Sequence, residues 1–235
     1  SDTAASYGID NRSLTIDMGE TGSLTFNGDG GSSSVALMVD TTPTAGEQAW
    51  DDVSGATAHR YDVASGNSDW FSYTNTSLMD GLTVKLDYVP SDGTTDIESS
   101  TAGTISYTGI EGLTIGLGAG EDNGEGASAS IDVTVANATY AMDAFTIGWS
   151  SSESDTNASS GDVTLTAMGV SYAVNDDLSV SLNQSTHEIQ GSADQDSFGI
   201  SASLVMGSMT LSANHNSVEN VGGTSGTDRS GYALG

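Results

Sequence analysis

Four side chains carry a fixed positive charge, Arg12, Arg60, Lys85 and Arg229, against 32 carboxylates, and the formal net charge is −28. Charges this unequal can act on passing ions through their field, but alone they make no catalyst. The three histidines, His59, His187 and His215, are far apart in the chain and form no His-Glu-x-x-His pair. There is no Gly-x-Ser-x-Gly elbow and no phosphate-cradling loop, so the chain reads as non-enzymatic. With no cysteine, disulfide frameworks and thiolate metal sites are excluded. The acid excess repels phosphates, and no nucleic-acid partner is expected.

Two acidic turns invite a cation. Residues 28–31, Gly-Asp-Gly-Gly, and 121–126, Glu-Asp-Asn-Gly-Glu-Gly, place Asp29, Glu121, Asp122 and Glu125 among glycines. Neither matches a calcium loop or a calcium-binding repeat. They are weak Ca2+ candidates; no cofactor is expected beyond Ca2+ or Mg2+ held loosely.

What must position the charges is a sheet. From Leu82 onward apolar residues recur at every second place, the period of a strand rather than of a helix. Leu82, Val84, Leu86 and Tyr88 face one way, and Thr83, Lys85 and Asp87 the other. The rhythm returns in Leu113, Ile115 and Leu117, in Phe145, Ile147 and Trp149, in residues 178–183 and in residues 208–214. Tight turns are expected at Asp80-Gly81, Glu111-Gly112, Asp143, Asn175-Asp176 and Gly207-Ser208. They recur roughly every 31 to 33 residues, but a solenoid would repeat a side-chain motif, and here only the pattern repeats.

Short turns at one end and longer acidic segments at the other suit an antiparallel transmembrane β-barrel with strands of about 9–11 residues. Leu82, Val84, Leu86, Leu113, Ile115, Ile147, Leu182 and Leu211 would then face lipid. In residues 199–216, Ala202, Leu204, Met206, Met209 and Leu211 would join them, and Ser201, Ser203, Thr210, Ser212 and Asn214 would face water inside. A β-sandwich also alternates, but it needs large side chains on its shared faces and carries more Lys and Arg outside. Tyr73, Tyr107, Tyr140 and Tyr172 sit before the turns and predict one aromatic rim; Trp70, Phe71, Tyr88, Trp149 and Phe198 predict the other.

Residues 11–40 read as strand, Gly-Glu-Thr-Gly turn, strand and an apolar segment capped by serines. Residues 42–69 lose the rhythm altogether, and residues 70–93 regain it. This succession resembles alphaproteobacterial general porins of the bacterial outer membrane. In that family a hairpin leads into a long loop folded back into the barrel, followed by a strand, a periplasmic turn and a strand. The resemblance covers nearly the whole chain in pattern, without an invariant motif. It implies a porin-like barrel, about 16-stranded in the family, with an inward-folded constriction loop at 42–69 within a single β-barrel domain, residues 1–235. About 13 strand-like segments are readable, an odd number where bacterial barrels are even. Together with the ending Ser-Gly-Tyr-Ala-Leu-Gly, which lacks the family's terminal aromatic strand, this suggests part of a longer chain, incomplete at both ends.

The resemblance further implies a homotrimer in outer-membrane lipid of a Gram-negative bacterium, forming a water-filled channel for passive diffusion of small hydrophilic solutes and ions. Its pore would be set by acids of the loop, Asp51, Asp52, Asp62 and Asp69, against bases of the wall, Arg12 and Lys85, with Arg60 in the loop and Asp87 beside Lys85. The acid excess predicts a preference for cations. The alternative is a secreted or surface-layer, adhesin-type β protein stabilised by divalent cations and lacking a pore; dependence on detergent separates the two.

Overall fold

The structure is a computed structural model and describes residues 12–29, 31–39, 41–57, 69–91, 99–123, 130–156 and 161–235. Thirteen strands make one antiparallel sheet in which every strand pairs with its neighbours in sequence. They are β1 (Arg12–Asp17), β2 (Ser23–Asp29), β3 (Trp70–Asn75), β4 (Leu82–Val89), β5 (Ser100–Ile110), β6 (Leu113–Asp122) and β7 (Ile131–Met142). After them come β8 (Phe145–Thr156), β9 (Val163–Ala173), β10 (Leu178–Ile189), β11 (Gln195–Met206), β12 (Met209–Glu219) and β13 (Arg229–Leu234). Among the described residues, β1 and β13 are the edges.

The turns fall where the sequence places them. Gly81 and Gly112 take φ of +76° and +75°, and a Cβ on either would collide with the backbone of the next hairpin, at Gly109 and Ala141. Glycine alone meets both conditions. Asp143 holds φ +51°, which aspartate tolerates better than most side chains.

The two faces of the sheet are unlike. Leu86, Ile115, Leu117, Ile147, Leu182, Phe198, Ile200 and Leu211 are exposed, Ile147 by 54 % and Leu117 by 57 %. Apolar side chains so placed make an outer face for lipid rather than for water. Leu82, Val84 and Leu113 share that face in register, opposite Tyr107, Ile105 and Tyr140. Aromatic pairs tie neighbouring strands there: Phe26 with Phe71 at 5.3 Å, Phe145 with Tyr172 at 4.5 Å, and His215 stacked on Tyr232 at 4.2 Å between ring centres. Of the expected outer aromatics, Phe71, Tyr88, Trp149 and Phe198 are exposed. Trp70 is not. It lies opposite Asn27, is 3 % exposed and packs towards Gly31 on the inner side.

The strands also run further than alternation suggests. β8 continues through Ser151–Thr156, and β10 and β11 take up Thr186–Ile189 and Gln195–Ser197, leaving only residues 190–194 between them. Above the apolar band both faces become polar, so the two-residue rhythm fades while the backbone ladder continues.

Candidate functional site

Inside the sheet lies the segment without strand rhythm. Residues 34–39 and 41–57 contain no strand and cross the inner face from β4 to β13. At its start, the Ser34 N–H donates to Asp87 Oδ2 on β4 at 2.6 Å. Met38 O then accepts from Asn137 on β7, and Pro43 sits against Gly148 and Gly169 of β8 and β9. The Ala45 N–H donates to Ser181 Oγ on β10 at 2.8 Å, and Thr44 Oγ1 lies 3.2 Å from Ser201 Oγ on β11. Glu47 O accepts from Asn183, while Gln48 O and Asp51 O both accept from the Asn216 amide on β12. Asp52 Oδ2 accepts from Asn214, and the Arg229 guanidinium on β13 donates to Ser54 O. At the far end Gln195 grips Thr57 twice, its Oε1 accepting from the N–H at 2.8 Å and its Nε2 donating to the carbonyl at 3.2 Å.

This strap is fastened by packing as well. Val35, Val39 and Trp50 form a dry cluster with Ala102 of β5, Val133 and Val135 of β7, and Leu165 and Ala167 of β9. Leu165, Val35 and Val133 are at most 1 % exposed. Trp50 also meets the His187 ring edge-on at 5.5 Å. The barrel interior thus contains a small apolar core of the kind soluble domains build, and burial of that size holds a loop in place.

The charges expected at the pore are only partly brought together. Asp51 and Asp52 lie on the strap at β12 and β13, Asp52 exposed with φ +58°, and Glu47 is exposed beside them. Lys85 lies on β4 across from Thr74 and Thr104, on the inner face. Asp87 shares that face but is 3 % exposed and holds Ser34; it anchors the strap. Asp69 is exposed with φ +63° just before β3. Arg12 departs from expectation. A Cβ at Gly28 would meet its side chain, and its guanidinium donates to Gly28 O, so it lies over the face shared by Leu14 and Phe26. That is the outer face. Arg60, Asp62 and Glu125, with the side chain of Asp29, fall outside the described residues.

The cation candidates separate. Glu121 and Asp122 are consecutive in β6 and point to opposite faces, Glu121 towards Thr101 and Asp122 towards Ser100. Among the described residues, no three of His, Cys, Asp and Glu gather as a metal site.

Sequence reasoning placed Asn214 on the inner face but missed Gln195, Arg229, Asn137, Asn183 and Asn216 as strap partners. Arg229 shares the inner parity of Gly231, which was legible; the asparagines needed the register.

A family model of Gram-negative porins matches residues 1–190. The chain belongs to that family. It is a porin of the outer membrane, and its fold is that of porin β-barrels. An anion-selective porin from Comamonas acidovorans superposes with a TM-score of 0.70 at 14% identity, covering 95% of this chain and 76% of that one. OmpT of Vibrio cholerae gives 0.62 at 14% identity over 95% and 77%. A triple mutant of the Rhodopseudomonas blastica porin gives 0.59 at 13% identity over 95% and 87%. No curated protein matches this porin in sequence.

Proposed function

We propose that this porin is a passive diffusion channel for small hydrophilic solutes that prefers cations, with the strap as its constriction. One observation carries the reading. The strap carries Glu47 and Asp52 as exposed residues with Asp51 next to them, and the inner faces of β1–β4 carry Ser13, Thr15, Ser23, Thr25, Ser72, Thr74 and Thr83, with Lys85 as their one cation among the described residues. Hydroxyls suit hydrated solutes, and carboxylates in a narrow, low-dielectric passage concentrate cations. The fold does not set the sign, since a porin of the same fold is anion-selective; the side chains do.

The test is the reversal potential of purified porin in a planar bilayer under a potassium chloride gradient. A cation preference in dilute salt is expected, declining as the Debye length shortens from about 10 Å at 0.1 M. An anion preference overturns the reading. Swelling of liposomes in sugars of rising size measures the solute limit. The assembly proposed is a homotrimer, in keeping with the family resemblance, and native mass in mild detergent checks it.

A further inference from the structure

One row of residues runs across six strands of the inner wall. In register, Gly148 of β8 is opposite Gly169 of β9, Gly169 opposite Asn183 of β10, Asn183 opposite Gly199 of β11, Gly199 opposite Asn216 of β12, and Asn216 opposite Gly231 of β13. The strap lies along this row. A Cβ at Gly148 would strike the Pro43 ring, one at Gly169 would come within 2.7 Å of Pro43 O, and one at Gly231 would strike Asp52 O. Gly199 faces Ala49, whose Cα would be 3.0 Å from such a Cβ. Between the glycines, Asn183 and Asn216 donate their amides to Glu47 O, Gln48 O and Asp51 O. Every position on the row either has no side chain or has a short one that ends in a donor.

The dimensions agree. Five gaps between strands at about 4.8 Å span roughly 24 Å, and the nine steps from Pro43 to Asp52 reach at most about 30 Å. The segment is therefore long enough to follow the row even with the turn in which the Asp51 N–H donates to Gln48 O.

We infer that this glycine–asparagine row is a docking track that sets the width of the pore, with Asn183 and Asn216 as positioning residues for the constriction. The inference rests on the channel reading above. The glycines set how near the strap comes to the wall, and the asparagines fix how far along it each carbonyl sits. Pore width is then written into the wall rather than into the loop that fills it.

The track makes opposite demands on its two residue types, and single-channel recording with purified porin tests them. Gly148→Leu and Gly231→Leu lift the strap off the wall into the lumen, and conductance falls by about twofold. Asn183→Ala and Asn216→Ala release carbonyls, and conductance rises with added flicker while heat stability of the sheet stays near that of the parent. Asn variants that leave conductance and flicker at parent values overturn the inference, as do Gly variants that widen the pore.

A cross-link guards against variants that do not fold. The chain has no cysteine, and a Cβ at Gly46 would lie 3.0 Å from Ser201 Cβ, within a small shift of disulfide reach. Gly46→Cys with Ser201→Cys should oxidise to completion, as read on a non-reducing gel. Failure to form it removes the strap from the track. If the parent itself conducts nothing, the channel reading fails, and the cross-link still reports whether the strap is docked.

Discussion

The two halves of the inner wall are built on different terms. From β1 to β4 the strands are of six to eight residues, and inner hydroxyls bond one another, as Thr15 Oγ1 and Thr25 Oγ1 do at 2.9 Å. From β6 to β13 most strands have 10 to 12 residues, and the inner face is occupied by the strap. Apart from Asp87, which anchors the strap, and the buried Trp70, the first half is a polar surface that water can satisfy. The covered half contains valines, a leucine and buried serines that need the strap above them. On the channel reading proposed above, the passage runs between Lys85 and the strap's acids, and that reading gives polarity to the first wall and charge and width to the lined one.

The sharpest way to break this contrast is Val39→Asp. It puts a carboxylate into contact with Val133, Val135 and Leu165, and an unpaired buried charge costs several kcal/mol. The strap should leave the wall, and single-channel conductance should rise several-fold while the sheet persists in circular dichroism. Next is Leu165→Ala, which empties the same cluster without charge. A loss of about 2–5 kcal/mol is expected for a fully buried leucine, read from urea unfolding in detergent; the same change at exposed Leu117 should cost far less. The paired change Asp51→Asn and Asp52→Asn leaves the strap docked and removes two of its charges, with Glu47 remaining. The cation-to-anion permeability ratio should then fall by about threefold at 0.1 M salt and change little at 1 M, where the Debye length is about 3 Å. The smallest effect is expected on the first wall. Lys85→Glu should raise the same ratio by less than about twofold, because a half-buried charge facing water is still largely screened.

The sequence made some of this plain and hid the rest for definite reasons. Alternation from Leu82 onward located the lipid face, and Asp-Gly, Glu-Gly and Gly-Ser pairs located the turns, because one face is apolar and the turns need special backbone. The same parity puts Arg12 with Leu14 and Ile16, so its outward place is legible in the sequence even though its charge suggests the lumen. Trp70 looked like a rim residue by type, yet its register with Asn27 turns it inwards. Residues 185–197 look like a joining segment in the sequence because their polarity is two-sided beyond the band. The loss of rhythm at 42–57 announced a segment outside the wall. Its path could not be read, since Gly148, Asn183 and Asn216 fall in one row only when the five registers from β8 to β13 are laid side by side.

The strap also constrains the order in which the molecule can form. Hydrogen bonds that close it join residues 162, 168 and 175 positions apart in the chain, whereas each hairpin joins near neighbours. Loops so long close late, because chain entropy must be lost before any contact compensates. The hairpins from β4 to β12 therefore assemble first, and the strap docks onto a wall already in register. Until then its valines and Trp50 are exposed together with the unpaired carbonyls of the same segment, which makes residues 34–57 the stretch a periplasmic chaperone would have most reason to shield.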